Sequence, residues 1–158
     1  KMSHPLLRVL PAIALSVALL GTSTVTRAQD ESPFTDGTVY RIATIRTGAN
    51  SQNAYLKQLD QFWYPMMVKA KALGLIKDFH LLTGMAANKE DYDVMTIIEV
   101  NSLADLDPSP EREAKWKQLR DAMNTTAGGK EKMDAFRASL NGTREILGEK
   151  LMREQMPK

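Results

Sequence analysis

His80, Tyr64, Trp63 and Arg41 are the side chains whose types and positions could do chemistry. The chain has two histidines, and the other, His4, lies in the apolar N-terminal segment. An imidazole is the usual base or axial ligand near neutral pH. Asp78-Phe79-His80-Leu81 alternates in character, so on a strand His80 points away from the face that carries Phe79 and Leu81. If those two pack under helices, His80 faces a partner subunit and its role is structural. Trp63 falls on an apolar helical stripe and reads first as packing. Tyr64 lies ~100° further round the same helix and could line a cavity. Arg41 and Arg46 fall on opposite faces of one expected strand, so at most one can enter a given pocket. An arginine there would suit a carboxylate or an enolate.

Other chemistries find no support. One histidine outside the N-terminal address segment and no cysteine remove the usual zinc patterns, so no metal is expected. Met66, Met67, Met95, Met123 and Met133 fall on core stripes, where a flexible side chain fills gaps, and they form no copper-binding cluster. Glu111, Glu113, Asp121 and Glu131 are scattered through a lysine-rich helical region and read as a solvated face. Gly128-Gly129-Lys130 lacks the spacing of a phosphate-binding loop, and no Gly-x-Ser-x-Gly nucleophile motif occurs.

The N-terminus reads as an address. Lys1 and Arg8 precede an apolar run over residues 9–20, and small and polar residues lead to Ala28. These are the three parts of a secretory signal. The run is about 12 residues long, short of the ~20 that a membrane-spanning helix needs. We therefore expect a signal peptide over residues 1–28, a flexible leader over 29–37 and one domain over 38–156. The mature chain would be exported, periplasmic or secreted in a bacterium, with no membrane span. Removing three of the 21 basic residues leaves 18 against 19 acidic ones, a net charge of −1. The basic balance thus belongs to the signal peptide, and a nucleic-acid partner is not expected.

Several elements must position the candidate residues. Residues 38–47 are rich in β-branched and aromatic side chains and predict a strand. From residue 53 to 73 the apolar positions Leu56, Leu59, Trp63, Met66, Ala70 and Leu73 share one helical face, with a bend expected near Pro65 and a stop at Gly74. Residues 75–85 and 92–100 predict a β-hairpin. Ser109 and Pro110 form a helix start for residues 111–124, with Trp116, Leu119 and Met123 inward and Glu111/Lys115 and Glu113/Lys117 as i,i+4 pairs. A further helix is predicted over 130–140. Residues 143–156 alternate like a strand but also fit a helix; the preceding order β-α-β-β-α favours a closing strand.

That βαββαβ order is ferredoxin-like. Gln61-Phe62-Trp63-Tyr64-Pro65-Met66, Lys71-Ala72-Leu73-Gly74-Leu75-Ile76 and Tyr92-Asp93-Val94-Met95-Thr96 look like an uncharacterised group of exported bacterial proteins in the dimeric α+β-barrel superfamily. The resemblance implies an α+β fold with a split second helix. Two four-stranded sheets would pack face to face in a homodimer, with the helices outside. It also implies a ligand between sheet and helices, with Trp63 and Tyr64 near the pocket wall. Members of the superfamily include monooxygenases of aromatic polyketides, haem-degrading and haem-binding proteins, and lactone isomerases. The haem-binding members carry their histidine on a helix, whereas His80 sits on an expected strand, so no cofactor is expected, haem included. Three readings follow. The chain is a non-catalytic binder of a small apolar or aromatic ligand. Alternatively it is a cofactor-independent monooxygenase or isomerase, acting on a small aromatic or enolisable substrate through Tyr64, His80 or Arg41. The third reading is a structural or partner-binding envelope protein.

Overall fold

The computed structural model describes residues 32–158, so the expected signal peptide and the start of the leader lie outside the described residues. The chain forms strand β1 (Phe34–Thr47), helix α1 (Gln52–Gln58), a π-helical turn (Leu59–Trp63) and helix α2 (Tyr64–Ala72). Strands β2 (Asp78–Thr83) and β3 (Val94–Val100) follow, then a short 3₁₀ turn (Leu103–Leu106), helices α3 (Pro110–Thr126) and α4 (Lys130–Leu140), and strand β4 (Arg144–Pro157). One antiparallel four-stranded sheet has the order β2-β3-β1-β4. The fold is α+β, and this order is consistent with a ferredoxin-like arrangement. No helix among the described residues is long and apolar enough to cross a membrane.

Phe34 to Gly37, expected in the leader, belong instead to the first strand, because β4 is long enough to pair with them. Gly37 permits the close approach: a Cβ there would meet the Glu154 side chain at 2.9 Å. The C-terminal segment is a strand, paired along β1 from Phe34↔Pro157 to Thr47↔Arg144. Two irregularities break that ladder, one between Asp36 and Val39 and one between Thr44 and Ile45. At the second, Thr44 pairs with Gly148 but Ile45 pairs with Ile146, so Leu147 is an extra residue in β4. A bulge of this kind exchanges the faces of everything beyond it.

The long first helix is interrupted at its proline. Pro65 has no N–H, which removes one i→i−4 bond, and the chain responds with a wider turn in which the Tyr64 N–H reaches the Leu59 carbonyl. The added residue rotates the helix that follows. Met67 and Ala70 are therefore buried, while Leu73, expected inward, is 39% exposed. Gly74 ends the helix at φ +68°, with the Leu75 N–H bonded to the Ala70 carbonyl and the Gly74 N–H to the Lys71 carbonyl. This turn drops Leu75 and Ile76 into the core ahead of β2, which starts three residues later than expected. Ser109 caps α3 through the Arg112 N–H, with Pro110 in the first turn, as the sequence predicts. Lys115 pairs with Glu111 as expected, but Lys117 pairs with Asp121 and Glu113 with Arg120.

The helices cover one face of the sheet. Phe79, Leu81, Val94, Ile98 and Ile45 pack against them in two apolar clusters. Alternation turns Tyr40, Ile42, Met95, Ile97, Leu82 and, through its pairing with Tyr40, Met152 to the face without helices. Leu82 is 50% and Met152 54% exposed.

Candidate functional site

Small side chains in the middle of the helix-covered face make room for a cleft. Ala43 of β1 and Thr96 of β3 are cross-strand partners. Neither fills the space to the helices, and the two form the cleft floor with Ile45 and Ile98. Trp63 and Met66 from the first helical segment, Trp116 and Met123 from α3, and Met133 and Phe136 from α4 make the walls. The volume is about 570 Å³, within the usual range for a small-molecule site. Phe62 and Phe136 meet with ring centroids 4.0 Å apart, tying the first helix to α4 across the cleft. The lining is aromatic and thioether in character, suited to a flat or branched hydrocarbon body.

Charges ring this apolar interior. Arg41 donates to Glu149 Oε2 at 2.7 Å from Nη2 and 3.3 Å from Nε. Arg120 lies 3.7 Å from Glu113, and Arg137 lies 3.2 Å from Asp134. These are solvent-exposed pairs, screened by water and contributing little to stability. Arg144 differs. Its Nη1 donates to the Tyr55 hydroxyl at 3.0 Å, and its guanidinium carbon stands 5.5 Å from the Tyr55 ring centre. Its Nε–H is shielded from water and has no acceptor among the described residues. Tyr55 is wholly buried. Burial pushes the Tyr55 phenol above the ordinary tyrosine value, more than the adjacent Arg144 charge draws it down, so it is neutral at pH 7.

The residues that the sequence singled out divide between places. Trp63 walls the cleft and packs on both apolar clusters, with its ring edge-on to Phe79 at 5.6 Å, so its packing and lining roles coincide. Arg41 stands at the cleft rim, 54% exposed and already paired. Tyr64 turns away from the cleft. It is 49% exposed, edge-on to Phe79 at 5.2 Å, and shares a shallow groove along the β2 edge with His80. Phe79 and Leu81 do pack under the helices, which sends His80 to the helix-free face. There its Nε2 lies 2.8 Å from Glu99 Oε1. Beside it, the Lys71 ammonium and then the Phe79 N–H hold the Asp78 carboxyl below the usual aspartate range. Arg41 is thus separate from the Tyr64–His80 groove, and the three do not form one constellation.

Tyr55, Trp116 and Arg144 enter the site without having been candidates. Trp116 was legible as an inward helical residue, although nothing in its stripe marked it as cleft lining. Tyr55 lies one position before the expected apolar stripe, and its burial depends on α4 and β4 closing over α1. Arg144 required the C-terminal segment to be a strand in a particular register. The sequence matches no protein-family model, and no curated protein or solved structure is significantly similar to it.

Proposed function

We propose that this chain is an exported binder of a small apolar or aromatic ligand, built as a homodimeric α+β barrel. The aromatic and methionine-lined cleft of about 570 Å³ between sheet and helices carries the reading. Its walls come from three helical segments held on a continuous sheet, so it is pre-formed, and its interior is apolar enough to retain a hydrocarbon body. The tripartite pattern of residues 1–28 supports export. The helix-free sheet face supports the dimer: Ile42, Ile97, Leu82, Met95 and Met152 form an apolar field interrupted by the His80–Glu99 and Arg46–Glu145 pairs and by Lys150. A contiguous apolar patch of this kind marks an interaction surface, and a second copy of the same face covers it with matching shape.

Native mass spectrometry of the purified protein tests both parts. The expected species is a dimer with a co-purified small molecule on each chain. A monomer at micromolar concentration would overturn the barrel arrangement. An empty protein that also fails to bind an apolar reporter dye would overturn the ligand role.

A further inference from the structure

The extra residue at Leu147 decides which charge enters the cleft. Uninterrupted alternation along β4 would turn Glu145 toward the helices. With the bulge, Arg144 faces them, and Glu145 pairs with Arg46 at 2.6 Å on the other side of the sheet. The cleft therefore receives a cation where a regular strand would have supplied a carboxylate. Among the described residues that cation has no counter-ion, whereas Arg41, Arg120 and Arg137 each hold one. Its Nε–H lacks an acceptor, and the Tyr55 oxygen accepts from Nη1 while its own proton has no acceptor among the described residues. The buried phenol stays neutral and does not cancel the charge. A half-buried cation with a shielded, unpaired Nε–H and an idle hydroxyl proton at one end of an apolar cleft are costly unless an acceptor meets them.

We propose that the cleft takes an apolar carboxylate, with its carboxylate accepting hydrogen bonds from Arg144 and Tyr55 and its hydrocarbon body lying beside Trp63, Trp116 and Met123. This rests on the ligand-binding reading and adds to it the charge of the ligand and the position of its headgroup. A planar carboxylate matches the guanidinium fork, and a charge-assisted pair strengthens where water is excluded. A single negative charge balances the single unpaired cation. A doubly charged headgroup would leave one charge uncompensated against the apolar walls.

Titration calorimetry with 2-naphthoate and 2-naphthalenemethanol separates the parts, since the two probes share a ring system and differ mainly in charge. Wild-type protein should bind the carboxylate more tightly by about tenfold or more. Arg144→Met keeps an apolar stem and should bring the two affinities together by weakening the carboxylate far more than the alcohol; Arg144→Lys should retain part of the preference. Tyr55→Phe, which alters no volume beyond the hydroxyl, should weaken only the carboxylate and serves if Arg144→Met does not fold. Equal affinities in the wild-type protein, or a carboxylate preference that survives in folded Arg144→Met, would overturn the headgroup assignment and leave ligand binding standing. Failure of both probes to bind overturns the ligand reading along with it.

Discussion

Leu82→Asp on the helix-free face should dissolve the proposed dimer while leaving the protomer folded. Leu82 is 50% exposed in the single chain. Complete burial of a leucine side chain stabilises by about 1.5–3 kcal/mol, so covering the remaining half contributes about 1 kcal/mol per copy. A twofold interface uses each residue twice, which makes about 2 kcal/mol per dimer and roughly a 30-fold change in Kd. An aspartate adds the cost of taking a carboxylate from water, so that factor is a floor. Met152→Asp, on the opposite edge strand and 54% exposed, should act alike. Val68→Asp is the control: Val68 is 46% exposed, but on helix α2 rather than on the sheet. Sedimentation equilibrium over a concentration series reads all three, with circular dichroism to check folding. Unchanged dissociation constants for both sheet-face variants, or an equal loss with Val68→Asp, would refute the assignment of the interface to this face.

Other consequences follow from particular positions. Ala43→Leu places a larger side chain on the cleft floor and should weaken binding of a naphthalene probe by about tenfold, with a destabilisation of about 1 kcal/mol or less where open space receives it; an unchanged affinity would put the ligand elsewhere. Gly74→Ala should cost about 1 kcal/mol in urea unfolding, from the positive φ alone, since no atom lies within 4 Å of the added methyl group. Gly74→Asn should cost less, and equal losses would show that φ is not the cause. The carboxyls of Asp78, Asp91 and Asp134 are held below the ordinary aspartate range, chiefly by the Lys71 ammonium, the Ala87 N–H and the Lys130 ammonium in turn. A lowered folded value gives stability that is complete above the unfolded value and is lost as pH falls through the folded one. Stability should therefore stay level in this respect down to about pH 5 and decline below about pH 4. Asp91→Asn should shallow that decline, and a urea midpoint indifferent to pH across this range would contradict the assignment.

Local signals carried much of the architecture. The periodicity of residues 53–73, the Ser109–Pro110 start and the β-branched run of residues 92–100 each depend on neighbours a few positions away, so they are readable without the fold. Gly74 was legible for the same reason: the end of a helix and a left-handed residue are local events. Pro65 was legible as a disturbance but not as a π turn. Whether a lost hydrogen bond bends a helix or widens it depends on what the next residues pack against, and here Met67 joins Ala70 in the core, Met66 turns to the cleft wall and Leu73 to solvent.

The candidate site was less visible because its parts come from distant segments. Trp63 was found through its stripe, and His80 and Arg41 through their chemistry, yet pairing with Glu99 and Glu149 occupies the latter two. The sequence by itself determined which residues could be inside, where helices begin and end, and that a closing strand would complete the sheet. Only the tertiary structure decided the register of β4. One extra residue at Leu147 exchanges the faces of Arg144 and Glu145. Alternation has period two, so a single-residue slip reverses every assignment beyond it. No local pattern marks where that slip falls; it depends on the twist of two long strands pairing over 14 residues each. The charge inside the cleft was set there.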